Sequence, residues 1–378
     1  MSLLNSVYIY ISNGKGLFGP FLGMLFASLC SVACESVFDH PDACLSGINL
    51  RFVYDYHMER GANAFPANVD CIDVYVFNNE GSFVAQFSET SSSLQDENYR
   101  MLLPLQPGNY SIVVYGGLAC SQRRFSFFPD WNNPTSALLT QQDISVTLPQ
   151  AFDGFSNLQL HDLDKRTGGL FYGIIPSLTI SNDDMNTHSV REETVSLIKN
   201  TNNIQVVLQE LNEPYSLNHE DFDFRIIDDN FVLDGKNNIH EIATQDFNPH
   251  YKPYAAENRT MGYVDYVPQD GAIAQEDTSR PVQVACAEFS TSRLTTDHMS
   301  SARLVISNRE TGEKLVDLPL ITYLTAIRGF GDGWIKSDQE FLDRQSRWNL
   351  MLFLQNGKWS SVRISVNSWV VRLNDVEL

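Results

Sequence analysis

From Gly47 onward the dominant hydrophobic period of the chain is two rather than 3.6, and this restricts it to strands before any composition is counted. In GINLRFVYDY the apolar Ile48, Leu50, Phe52 and Tyr54 alternate with Asn49, Arg51 and Asp55, interrupted only by Val53. Successive strand side chains point to opposite faces, so such a run buries one face and wets the other. CIDVYVF repeats the pattern through Ile72, Val74 and Val76, breaks at NNEG and resumes through Phe83, Ala85 and Phe87, which predicts a hairpin. A second hairpin is expected from Met101, Leu103 and Leu105 through the turn QPGN to Tyr110, Ile112 and Val114, and DISVTL adds a strand.

The second half continues in the same way through NNIQVVLQEL, FDFRII, PVQVACAEFSTSRL, ARLVIS, KLVDLPL, RWNLMLFLQ, SVRISVN and WVVRLN. One short helix is expected in SDQEFLDRQSRW, where Ser337 and Asp338 offer N-caps, Glu340 follows, and Phe341, Leu342 and Trp348 share a face. Short strands punctuated by Gly, Pro and Asn turns predict an all-β chain of antiparallel sandwiches. At 378 residues one core does not suffice. Two sandwich domains are therefore expected, over residues 44–190 and 191–378, with the break near the polar interval SNDDMNTHSVREE.

The first segment reads as a processing signal. Residues 1–33 hold no acid and one base, Lys15, ahead of the apolar stretch LFGPFLGMLFASLCSVA. That order matches a secretory signal peptide. A membrane-spanning helix needs roughly 20 mostly apolar residues, and Leu17–Ala33 is shorter and broken by Gly19, Pro20 and Gly23. Ser31, Val32 and Ala33 before Cys34 resemble a bacterial lipobox, which makes Cys34 the expected lipidated residue. Cys30, after Ala27, Ser28 and Leu29, is the competing site, and plain signal cleavage is the alternative. Residues 34–43 then form a tether, and acyl chains contributing about 0.8 kcal/mol per buried CH₂ hold the chain to a membrane.

The 26 Lys+Arg against 46 Asp+Glu give a net charge of −20, which repels phosphate backbones and argues against nucleic acid as a partner. The charge reads chiefly as a solubility device. After Cys34 come Cys44, Cys71, Cys120 and Cys286, an even number suited to an oxidising compartment. A disulfide is expected within Cys44, Cys71 and Cys120, against the alternative that Cys71 and Cys286 are buried thiols. No CxxC, GxSxG, Walker loop, GxGxxG or HExxH is present, and the eight His are scattered, so neither catalysis nor a cofactor is expected. Asp183-Asp184 and Asp228-Asp229 read as solvated turns rather than calcium sites. The loop GFGDGW, Gly329 to Trp334, offers an aromatic to a partner.

Several long segments carry a family resemblance: LRFVYDYHM (Leu50 to Met58), NAFPANVDCIDVYVF (Asn63 to Phe77), YRMLLPLQPGNYSIVVYGGLAC (Tyr99 to Cys120), and LHDL with LFYG (Leu160 to Gly173). KNTNNIQVVLQEL, DFDFRIIDDN, EFSTSRL, EFLDRQSRWNLMLFL and SWVVRLN continue it. Together they resemble the FimB-type fimbrial anchor and minor-subunit family of Bacteroides-type bacteria, over nearly the whole chain after Cys34; DKRTGG between LHDL and LFYG departs from the pattern. The resemblance implies two tandem transthyretin-like sandwiches, lipoprotein export to the outer membrane, no catalysis, and fimbrial subunits as partners. The implied role is to anchor a fimbrium and support its assembly or limit its length. Alternatives are a shaft or tip subunit matured by cleavage after a base such as Arg51 or Arg60, or a surface glycan-binding lipoprotein. The closing run SVRISVNSWVVRLNDVEL is expected to be an integral strand placing Ile364, Val366, Trp369 and Val371 in the core. Its functional alternative is contact with a neighbouring subunit around Asn374 and Glu377.

Overall fold

The alternating runs do become strands, but the sheets they build are interlocked rather than strictly tandem. The computed structural model describes residues 47–58, 61–117, 126–128, 145–147, 169–186, 190–240, 250–264, 276–328, 333–366 and 369–374. The first half contributes β1 (Ile48–Val53), helix α1 (Phe65–Asn68), β2 (Cys71–Asn78), β3 (Phe83–Glu89), β4 (Met101–Leu103), β5 (Gly108–Gly117), β6 (Ser126–Phe128) and β7 (Ser145–Thr147). After these come β8 (Leu170–Ile180), helix α2 (Asn182–Asn186) and β9 (Arg191–Lys199). Seven of these strands form one sheet in the order β3-β2-β5-β8-β9-β1-β4.

That sheet folds over on itself at β9. Arg191 to Ser196 pair in parallel with Ile48 to Val53, whereas Leu197 to Lys199 pair antiparallel with Gly173 back to Phe171. The two flanks then face each other across a core of Leu50 and Phe52 from β1, Val74 and Val76 from β2, Val114 from β5 and Val195 from β9. Each such side chain contributes about 1.5–3 kcal/mol when fully buried. Gly173 permits the closure, because a Cβ there would sit 2.6 Å from both Leu197 Cδ2 and Val195 Cγ1.

Two sequence expectations fail in this half. β4 and β5 are not a hairpin: β4 pairs with β1, and β5 lies between β2 and β8. The turn starts tightly, with Leu105 N donating to Leu103 O at 2.9 Å, and QPGN then carries the chain across the core from one flank to the other. A turn signal marks a reversal, and period-two runs serve either flank equally. The expected break after Val190 also falls inside one sheet, since β9 belongs with β1 and β8; polar REE, at its start, concealed a strand that buries Val195 and Leu197.

The second half supplies β10 (Thr201–Glu210), β11 (Phe222–Ile227), β12 (Val232–Asp234), β13 (Ile239–His240), β14 (His250–Tyr251), β15 (Ala255–Val264), β16 (Glu276–Ser292), β17 (Arg303–Asn308) and β18 (Lys314–Pro319). Helices α3 (Leu320–Ala326) and α4 (Asp338–Arg344) precede β19 (Arg347–Gln355), β20 (Lys358–Val366) and β21 (Trp369–Asn374). A six-stranded sheet, β15-β16-β10-β19-β20-β21, faces a four-stranded one, β14-β11-β17-β18. Val206, Phe224, Phe289, Leu304 and Leu352 fill the space between them. α4 is the expected helix: Ser337 Oγ accepts from Glu340 N at 3.1 Å, and Glu340 reaches back to Lys336 N at 3.0 Å. Trp348 lies beyond it on β19, edge-on to Phe341 at 5.5 Å, and donates to Asn202 Oδ1 at 3.1 Å. α3 was not foreseen in KLVDLPL and the residues after it.

The fourth sheet, β13-β12-β7-β6, joins strands of both halves. Its Leu233 packs into the outer face of the first sheet among Tyr75, Phe77, Tyr115 and Tyr172. Around it, Tyr172 OH donates to Gly235 O at 3.0 Å, and Asn200 and Asn237 exchange amide hydrogen bonds of 2.5 and 3.1 Å in full burial. Arg293 gives both Nε and Nη2 to the Asp343 carboxylate at 2.8 Å and Nη1 to Asn237 O at 3.1 Å. Gln339 adds a 2.9 Å bond to Asp343.

Two variants test this account. Gly173→Ala is expected to lower unfolding stability by about 1–3 kcal/mol through overpacking at the closure, read from urea titrations; an unchanged midpoint would mean that β8 and β9 can move apart freely. Asp343→Ala leaves a mostly buried guanidinium unpaired and is expected to cost about 3–5 kcal/mol, with Arg293→Met in the same background restoring part of it. A cost under about 1 kcal/mol, as for a surface pair, would show that solvent satisfies Arg293.

Candidate functional site

A β-protein that holds another chain does so most directly at a strand edge, where unpaired backbone groups accept a further strand. The edges of the described sheets are unequally guarded. β4 and β14 have three and two residues. β15 carries Glu257 and Arg259, the latter bound to the buried Glu288 at 2.7 Å, and its pairing slips at Gly262/Tyr263. β18 holds Lys314 and Asp317 and ends in Pro319. β3 has only Glu89 as a charge but is bulged beside Val84, which is 44% exposed. β21 is regular: six consecutive pairs join it to β20, from Val366↔Trp369 to Ser361↔Asn374, without a shift. Among the described residues its other side has no strand neighbour, and Arg372 is its one charge.

Asn374 thus closes an integral strand of the second half. Glu377 lies outside the described residues, as do Cys30, Cys34, Cys44, Cys120 and Arg60. Ile364 is fully buried as expected, while the side chains of Val366, Trp369 and Val371 lie outside the described set. Arg51 sits within β1, opposite Thr194 of β9.

The two described cysteines differ. Cys71 is buried and disulfide-bonded, whereas Cys286 is a free buried thiol that burial pushes up to about 11, leaving little reactive thiolate. Asp183 and Asp184 lie in the first turn of α2 rather than in a loop turn, and Asp184 Oδ2 accepts from Ser181 N at 2.7 Å and Ser181 Oγ at 2.8 Å. Asp228 does not lie in a solvated turn: it is buried, with Oδ1 2.5 Å from His298 Nδ1. Among the described residues no group of three His, Cys, Asp or Glu could hold a metal ion, and no helix is long and apolar enough to cross a membrane. Trp334 is half-buried with the Arg344 guanidinium 4.9 Å from its ring centroid, and residues 329–332 of its loop lie outside the described residues.

A cleft of ≈ 220 Å³ opens at the seam between the halves, lined by Tyr54, His57, Asn68, Lys199, Arg344 and Arg347 among others. It brings the end of β9 against the start of β19. Arg344 is already committed, with Nε 2.8 Å from Glu340 and its guanidinium 3.9 Å over Tyr56. Lys199 is held down to about 8, first because burial penalises its charge and second because Arg347 stands beside it. Burial pushes Tyr54 up to about 12, with Arg347 opposing. No sequence pattern pointed here, because the residues come from four separate stretches, each ordinary by itself.

Comparison with known proteins matches the picture of a surface β-protein. Residues 41–375 match the family model of fimbrillin-A associated anchor proteins Mfa1 and Mfa2. A protein of Bacteroides thetaiotaomicron designated an adhesin is 35% identical, with 87% of this chain and 98% of that one aligned at a TM-score of 0.69. A second from the same organism, designated polysaccharide binding, is 27% identical over 87% and 98%, with a TM-score of 0.64. The fimbrial anchor protein Mfa2 of Porphyromonas gingivalis shares the fold at 16% identity and a TM-score of 0.56, over 86% and 98%. No curated protein sequence matches. Extending from residue 41 to residue 375, the match takes in both halves and the seam, and the chain belongs to the family of fimbrillin-A associated anchor proteins.

Proposed function

We propose that this fimbrial protein is a non-catalytic anchor subunit, held to the outer membrane by lipid on Cys34 and joined to a fimbrium through the open edge of β21. The observation that carries the reading is that edge: regular over six residues and, unlike β15 and β18, bearing a single charge and neither bulge nor proline. Main-chain hydrogen bonds along an edge give affinity without a pocket or a catalytic group. A single regular edge among the described ones offers one favoured attachment, which suits a subunit that ends a polymer and so limits its length. The shared sheet and the Tyr172–Gly235 hydrogen bond support the same role, because an anchor must pass tension from one half to the other without parting.

A shaft or tip subunit matured at Arg51 is less compatible with the fold. Cleavage there would cut β1 between β9 and β4, in the middle of the first core.

Cys34→Ala is expected to abolish fatty-acid labelling and to release fimbriae from cells; labelling that persists would move the site to Cys30 or remove the lipid from the account. Cysteines placed at Asn374 and Glu377 are expected to crosslink to a fimbrial subunit in assembling cells. Crosslinks confined to the chain itself, with fimbriae still attached, would eliminate β21 as the contact.

A further inference from the structure

The seam cleft brings together two cations, the half-buried Lys199 and the exposed Arg347. Among the described residues neither Lys199 Nζ nor the Arg347 guanidinium has a hydrogen-bond or ion-pair partner, although both line the same ≈ 220 Å³ space. This occurs in a chain of net charge −20, where carboxylates are plentiful, and no carboxylate lines the cleft. A partly desolvated cation beside a second cation opposes folding, and Lys199 stands so beside Arg347, so the arrangement is stabilised when an anion enters. Tyr54, Met58 and Ala64 give it an apolar wall, and Asn68, Gln345 and Ser346 give it neutral polar groups. At this size it is smaller than a site for a drug-sized ligand, which runs from about 300 Å³ upward.

We propose that this cleft binds a compact oxyanion, a carboxylate or phosphate on a body no larger than a monosaccharide, between Lys199 and Arg347. Arg344 positions the wall through Glu340 and Tyr56 and is not the principal charge. The overall negative field repels anions at long range, so recognition acts at contact.

The test is calorimetric titration of the full chain with inorganic phosphate, glucuronate and glucose. Saturable binding of an anion and none of glucose is expected. Tighter phosphate identifies a free oxyanion as the ligand, and tighter glucuronate a carboxylate on a sugar ring. The Lys199→Met/Arg347→Met variant is expected to bind at least about tenfold more weakly, while its unfolding midpoint without ligand is equal or higher, because the repulsion is gone. Glucose binding as well as glucuronate, anion binding unchanged in the variant, or no saturable binding at all would overturn the proposal.

The pH dependence follows from Lys199, which faces Arg347, Arg344, His57 and Tyr54 across the cleft. Its folded value of about 8 lies below the ordinary lysine value near 10.4, so the folded chain releases this proton first. The cost of its charge is fully present below about pH 8 and fades as pH rises toward the unfolded value. Lys199→Met is therefore expected to stabilise the unliganded protein most at neutral pH and least above about pH 10. Anion affinity of the native chain should fall as pH rises through about 8; an affinity that does not change there would remove Lys199 from the site.

Discussion

β9 is the strand on which the first half depends. It lies parallel to β1 through Ser196 and turns antiparallel to β8 from Leu197, so a single backbone joins the two flanks of the sheet. A crossing this close leaves no room for a side chain at Gly173. Val195 and Leu197, projecting from the same strand, fill the core between the flanks. Geometry and burial therefore reinforce each other at one place, and that same strand delivers Lys199 to the seam.

The seam shows how buried polar groups can set the relation of two halves that apolar packing alone would leave free to slide. Leu233 supplies area among the tyrosines of the outer face but little direction. The reciprocal Asn200–Asn237 amides and the Tyr172 hydroxyl on Gly235 supply the direction, and Arg293, fixed by Asp343, holds the Asn237 carbonyl in place behind them. A buried ion pair adds little or no net stability over an apolar replacement, yet losing one partner is costly. Such a pair penalises alternative arrangements more than it rewards the native one.

What could be read from the residues was local. NNEGS closes the β2–β3 hairpin because Asn78 Oδ1 accepts from both Glu80 N and Ser82 N, and Ser337 caps α4 by itself. Asn356-Gly357 could also have been read: both residues have positive φ, the requirement of a two-residue hairpin turn, and they join β19 to β20. Glu210, whose carboxylate accepts from Asn356 N at 3.0 Å and Gly357 N at 2.9 Å, could not, since its partners are distant in sequence. The same holds for β4 and β5, whose period matched the strands while their neighbours were decided by the core, and for the cleft. Periodicity reports which face of a strand is buried, not against what.

The β12–β13 hairpin, finally, fixes the timetable by which this chain can fold. Tyr75, Tyr115 and Tyr172 are buried on a face whose cover includes Leu233, and β7, paired on one side with β6, gains its second neighbour in β12. A chain emerging from its N-terminus has therefore made all of β1 to β9 well before it makes the residues that cover their outer face. Until then an aromatic surface is open to any passing strand, the situation in which long-range β topologies are slow and prone to aggregate. A chain cut near residue 199 would lack Leu233 and leave Tyr75, Tyr115 and Tyr172 without that part of their cover.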